Sequence, residues 1–355
     1  MKVEKRVIDH IEKCYAVSEF GYKGERHLLC SAEGSGPCRI YDMEGNQVET
    51  IWEGPGGVMT LLQVPNTETP ILLATQGFYS PDHAEKGKIV YYFKSGKQWK
   101  CETLCNLPFV HRFGIVSNGK RNYLVAATLK SANAFDGDWT CPGRVWIAPF
   151  PENILEYNCK NPLVLESLIN GLYKNHGFSI NREGNRSYVV IGAENGVYTV
   201  FPPKTEKGNW SYEKILEEPV SDMLYRDFDR DGEKELLVLS PFHGAQIQIF
   251  KKNKKIYERE KKMPLAHALC SGMIEGKEYA FIGGRDGEKE LIALSYDLEK
   301  QCFIETILDT GAGAANVMLF QVGEEYRLLA ANREADETAI YVLSEKQNKK
   351  ESEDM

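Results

Sequence analysis

Apolar residues along this chain fall in short runs broken by turns that carry Gly, Asn or Asp, and no long stretch keeps the 3.6-residue period of an amphipathic helix. One unit recurs: an apolar strand, a turn, a second strand of the Tyr-Leu-Val-Ala-Ala type, a loop, a third strand, and usually a more polar fourth. The second strands align as HLLCSA (27–32), PILLAT (70–75), NYLVAAT (122–128), SYVVIGA (187–193), ELLVLS (235–240), EYAFIGG (278–284) and YRLLAAN (326–332). The third strands that follow (CRIYDM, KIVYYF, RVWIAPF, GVYTVF, QIQIFKK, LIALSYD, AIYVLSE) alternate β-branched or aromatic residues with others, as half-buried strands do.

Seven copies of a four-stranded antiparallel unit, none able to bury both faces alone, predict an all-β seven-bladed β-propeller. The last copy ends after its third strand, whereas VEKRVIDHI precedes the first complete unit. Residues 2–10 are therefore expected to supply the missing outer strand of the last blade and close the ring. Residues 1–346 form one domain on this reading, and 347–355 a charged, disordered tail.

Composition narrows the function classes. The net charge of −8 argues against nucleic acid or an anionic membrane as partner, and the basic run 251–255 reads as a solvated hairpin. No apolar run reaches the ~18 residues of a membrane span, and the first residues lack the apolar core of a secretory signal. A cytoplasmic location is expected. The nine cysteines are scattered without a CxxC pair and are expected to be reduced and mostly buried.

The first strands, aligned on the turn and second strand, begin at Ala16, Met59, His111, His176, Asp222, His267 and Asn316. Three of the seven histidines thus share one repeat position, with Asp222 and Asn316 there in two more blades. In a propeller this position lies at one mouth of the central channel, so the side chains point at a common axis. Three neutral imidazoles with an open fourth position form the ligand set of a catalytic metal site, so His111, His176 and His267 are the candidate ligands of a divalent ion such as zinc or manganese. Asp222 would join them or orient one of them. Blades one and two offer only Ala16 and Met59, leaving a gap over which substrate would enter.

The same face collects the loop SPFHGAQ (240–246) with His243, and long insertions at 76–88 and 129–144. His243 is the candidate general base, with Asp222 as the second catalytic candidate. Tyr79, Lys130, Arg285, Arg333 and Asn316 are candidates for binding a polar substrate. Asp136 and Asp138 lie close together on the blade-three loop as a weaker acid–base pair, and no Ser-His-Asp or phosphate-loop pattern stands out.

Blade five also carries DFDRDGEKEL, in which Asp227, Asp229, Asp231 and Glu235 surround a glycine turn. The closing Glu comes too early for an EF-hand. The pattern resembles the DxDxDG signature of the FG-GAP/VCBS repeat, which occupies a first-to-second-strand turn on the face opposite the histidines. Calcium is a possible ligand there, a hydrogen-bonded turn the commoner alternative. Within that repeat class, the channel histidines with the SPFHG loop resemble propellers of the aldos-2-ulose dehydratase type and, more distantly, oligogalacturonate lyases. Those resemblances imply a metal-dependent lyase or dehydratase eliminating across a keto-sugar or uronic-acid-like carbohydrate, the ion stabilising a developing enolate. The alternative is a non-catalytic propeller that binds a glycan or protein on the same face; hydrolysis or isomerisation at the same metal is a third reading. Oligomeric state is not legible in the sequence.

Overall fold

The structure, a computed structural model, describes residues 1–205 and 208–344. Seven four-stranded antiparallel sheets stand in a ring, with two short 3-10 turns the helical content among these residues. Blades one to six each use four consecutive strands, spanning 14–52, 61–106, 110–172, 177–216, 222–258 and 266–309. The predicted class and blade number therefore hold.

Blade seven takes its three inner strands from Asn316–Val322, Glu325–Asn332 and Glu337–Ser344, and its outer strand from Lys2–His10. Lys2 pairs with Ser344 and Arg6 with Ile340, so the N-terminal strand closes the ring as expected. Lys5 reinforces the closure through ion pairs to Glu337 at 2.8 Å and to Asp309 of blade six at 3.1 Å.

The second strands are buried along nearly their whole length, which explains their continuous apolar runs: each is covered by a blade on either side. The core lies between blades. Val125, Ala127 and Val145 of blade three, for example, pack with Val189, Ile191 and Val200 of blade four. All nine cysteines are unpaired as expected, but only Cys14, Cys30, Cys38 and Cys105 are buried, while Cys101, Cys159 and Cys302 are exposed on outer strands or loops. Residues 345–346 of the expected domain and the whole tail at 347–355 lie outside the described residues.

Candidate functional site

The channel mouth is built by a backbone irregularity that the repeat alignment did not contain. In blades one, three and six the first strand has a β-bulge, and the extra residue is Tyr15, His111 or His267. The bulge turns that side chain toward the axis. Tyr15, and not Ala16, is therefore the blade-one counterpart of the histidines.

Two further positions shift by one residue. The backbone N–H groups of His176, Ser221 and Ala315 make the same bond, to Gly192, Leu239 and Ala331 of their own second strands. Ser221 and Ala315 thus stand level with the histidines. Asp222 and Asn316 lie one residue further along the strand, level with Arg112.

Four imidazoles converge at this mouth. His176 has its ring centroid 4.4 Å from that of His111, 5.0 Å from His267 and 5.4 Å from His243. Ligand nitrogens of His176, His243 and His267 lie within 4.8 Å of one another; His111 is outside that group. Of the three histidines expected to converge, His176 and His267 do so within that distance, and the third member of the group is His243. Three nitrogens on one tetrahedral zinc would be about 3.4 Å apart, so small side-chain adjustments would bring these onto one ion.

The tautomers of two of these imidazoles are fixed by the neighbouring blade. His176 Nδ1 is 3.0 Å from Ser221 O, and His267 Nδ1 is 2.8 Å from Ala315 O. A carbonyl only accepts, so both Nδ1 atoms carry protons and both Nε2 atoms present lone pairs. The Nε2 of His176 is buried without a partner. Burial, with the neighbouring imidazoles and the charge of Arg112 adding to it, holds His111, His176 and His267 far below the usual imidazole range, and burial pulls His243 down to about 4. All four are neutral at pH 7.

His243 owes its position to the SPFHG turn. It adopts φ 51°, its N–H donates to Ser221 Oγ at 3.2 Å, and its ring stacks on Phe242 at 4.0 Å. Phe242 meets Trp139 of the blade-three loop at 5.2 Å, and Lys174 lies over both rings. Repeat alignment could not place Phe242, Trp139 or Ser221 here, because loops carry no register.

The expected gap over blades one and two is closed. Tyr15, Met59 and Phe78 fill it, each at most 2% exposed, with Phe78 5.0 Å from His111. The substrate-binding candidates are largely engaged elsewhere. Lys130 is fully buried and paired with Asp82 at 2.7 Å, joining the two long loops. Arg285 pairs with Glu334 at 2.7 Å, and Arg333 pairs with Glu33 and with Glu334. Asn316 accepts from Arg112 and donates to Tyr15 O, linking three blades. Tyr79 remains 41% exposed.

Asp222 is buried, and desolvation pushes its carboxyl up to about 7 against the opposing pull of Arg112. Its Oδ1 accepts from Met223 N, the next residue in the strand. Asp138 caps its own loop by accepting from Thr140 and Ala134, which with its other hydrogen bonds holds it at about 2, while Asp136 is exposed.

At the other face, the acidic turn of blade five surrounds a side chain. Lys251 Nζ lies 2.7 Å from Asp229, 2.8 Å from Asp231 and 2.5 Å from Glu235. Asp227 accepts from Gly232 N, and Gly232 sits at φ 92°. The Lys251 ammonium group already bridges three of the four carboxylates, so a calcium ion would have to displace it.

No family model matches the chain, and no curated protein matches it. Among solved structures it is similar to BBS1N in complex with ARL6DN, soaked with mercury, at 12% identity and TM-score 0.58, over 97% of this chain and 96% of that one. That likeness shows the fold: the chain is a seven-bladed β-propeller, with an imidazole cluster at one mouth.

Proposed function

We propose that this propeller binds one divalent transition-metal ion through His176, His243 and His267, and that it is a metal-dependent carbon–oxygen lyase acting on a small keto-sugar or uronic-acid-like carbohydrate. The observation that carries the metal site is the set of three ligand nitrogens within 4.8 Å, two of them on imidazoles whose tautomers put the lone pair at Nε2. The choice of reaction rests on the resemblance of the channel histidines and SPFHG loop to propeller lyases. When bound, the ion would supply Lewis-acid stabilisation of the charge that develops on proton abstraction.

The roles of two histidines exchange relative to the sequence expectation. With His243 among the ligands, His111 becomes the candidate base. It is held neutral, and its Nδ1 is buried without a partner. Substrate would reach the cluster by moving Phe242 and Trp139, which cover it on the side of blades three to five.

A second reading, docking of a glycan or protein on the same face, is favoured by Phe135 and Tyr79, 65% and 41% exposed at the two long loops. The BBS1 propeller is in complex with ARL6 in its solved structure. Metal analysis separates the readings. The lyase reading expects one equivalent of zinc or manganese, lost in His176→Ala, and release of an unsaturated product from a uronic acid or keto-sugar. Folded protein without stoichiometric metal would leave the docking reading.

A further inference from the structure

A neutral imidazole has one lone pair, and on His267 it is at Nε2, because Nδ1 donates to Ala315 O. The hydroxyl of Tyr15 lies 3.1 Å from that Nε2 and 3.4 Å from Nε2 of His111. The phenol has a single proton. It is directed at His267, which can only accept there, so the longer contact is one in which His111 Nε2–H donates to the phenol oxygen. The result is a directed chain from His111 through Tyr15 to His267, crossing blades three, one and six. It accounts for His111 Nδ1, which is left with a lone pair and no partner. Tyr15 is 1% exposed, so bulk water is not at hand to replace its hydroxyl.

We propose that Tyr15 is a positioning residue that competes with the metal ion for His267. This rests on the metal reading above. A hydrogen bond and a coordination bond cannot share one lone pair, so metal binding at His267 breaks the bond from Tyr15. The phenol proton can turn to His111 only if His111 moves its own proton from Nε2 to Nδ1, which places an unpaired N–H in a buried site. The pair thus keeps His267 oriented and capped without metal, and metal binding works against it.

The test is titration of chelator-treated protein with cobalt(II), followed by its d–d absorption, with zinc competition to obtain affinities for wild type, Tyr15→Phe and His267→Ala. Melting temperatures of the metal-free variants report on the fold. Removing one hydrogen bond of ordinary net strength from the competing state should tighten metal binding in Tyr15→Phe by roughly three- to tenfold, with the cobalt spectrum unchanged. A side chain needed only for packing would move affinity the other way or not at all. Equal or weaker binding by a folded Tyr15→Phe, in a protein whose wild-type site is lost in His267→Ala, overturns this inference and leaves the metal reading standing. Failure of wild type and Tyr15→Phe alike to bind cobalt overturns both.

Discussion

Nδ1 of His176 donates to the carbonyl oxygen of Ser221, 3.0 Å away, so the ring of blade four is oriented by the residue at the same position in blade five. That contact leaves the lone pair at Nε2, which is buried without a partner beside His243 and His267. Single replacements of His176, His243 or His267 by Ala should each weaken zinc binding by roughly 100-fold or more, since each removes one of three ligands. His111→Ala should keep one equivalent of zinc. Metal content and competition with a chromophoric chelator would check this, and loss of metal in His111→Ala would restore the triad read from the sequence.

Acid should unfold the metal-free protein steeply. The four imidazoles have folded values below the unfolded value of about 6.5, so their contribution is complete above that pH and is lost as pH falls. Unfolding near pH 5 should then take up close to four protons at the imidazoles and release about one from Asp222, a net uptake of roughly three, each steepening the fall by about 1.4 kcal/mol per pH unit. Urea unfolding between pH 5 and 7 gives the slope; a slope of one proton or less would contradict the buried neutral cluster.

Asp222 works in the opposite direction. Its carboxyl is raised to about 7 in the folded state against about 3.9 unfolded, so the folded protein holds the extra proton between those values and loses stability as pH rises through them. Asp222→Asn should match wild type near pH 4 and exceed it at pH 8, by on the order of 2–4 kcal/mol. Equal stabilities at pH 8 would show that the carboxyl ionises in the channel without cost.

Lys251 acts as the cation of the acidic turn. Lys251→Met would leave Asp229, Asp231 and the fully buried Glu235 facing one another, at a cost of roughly 2–3 kcal/mol. Millimolar calcium should recover part of that loss in the variant and leave wild type unchanged. Thermal melts with calcium and with EDTA decide it, and a calcium-dependent shift in wild type would show that the ion displaces the ammonium.

Deletion of residues 2–10 should lower the melting temperature by roughly 10 °C or more, because it strips a paired strand from Glu337–Ser344 and uncovers the core that Val3 and Ile8 help to close. An unchanged melt would mean that the ring holds without its closing strand.

The sequence by itself determined the number of blades, the strands that form them, the closure by residues 2–10 and the face on which the histidines gather. Each follows from alternation and repetition, which are local properties read at every copy. It could not determine which residues touch. One added residue in a strand turns the next side chain to another direction, so the bulges at Tyr15, His111 and His267 moved the blade-one position from Ala16 to Tyr15. A signal for it was present in Cys-Tyr-Ala, Val-His-Arg and Ala-His-Ala, where an apolar residue precedes the ring in all three copies. The SPFHG loop placed His243 on this face but not against His176 and His267, since its position depends on a turn at φ 51° and on Ser221 of the same blade. Nor did any pattern mark Lys251 as the partner of the acidic turn, since the two meet only when the third strand of blade five pairs beside the second. Periodicity fixes faces; contacts between loops and across the channel exist only once the ring has closed.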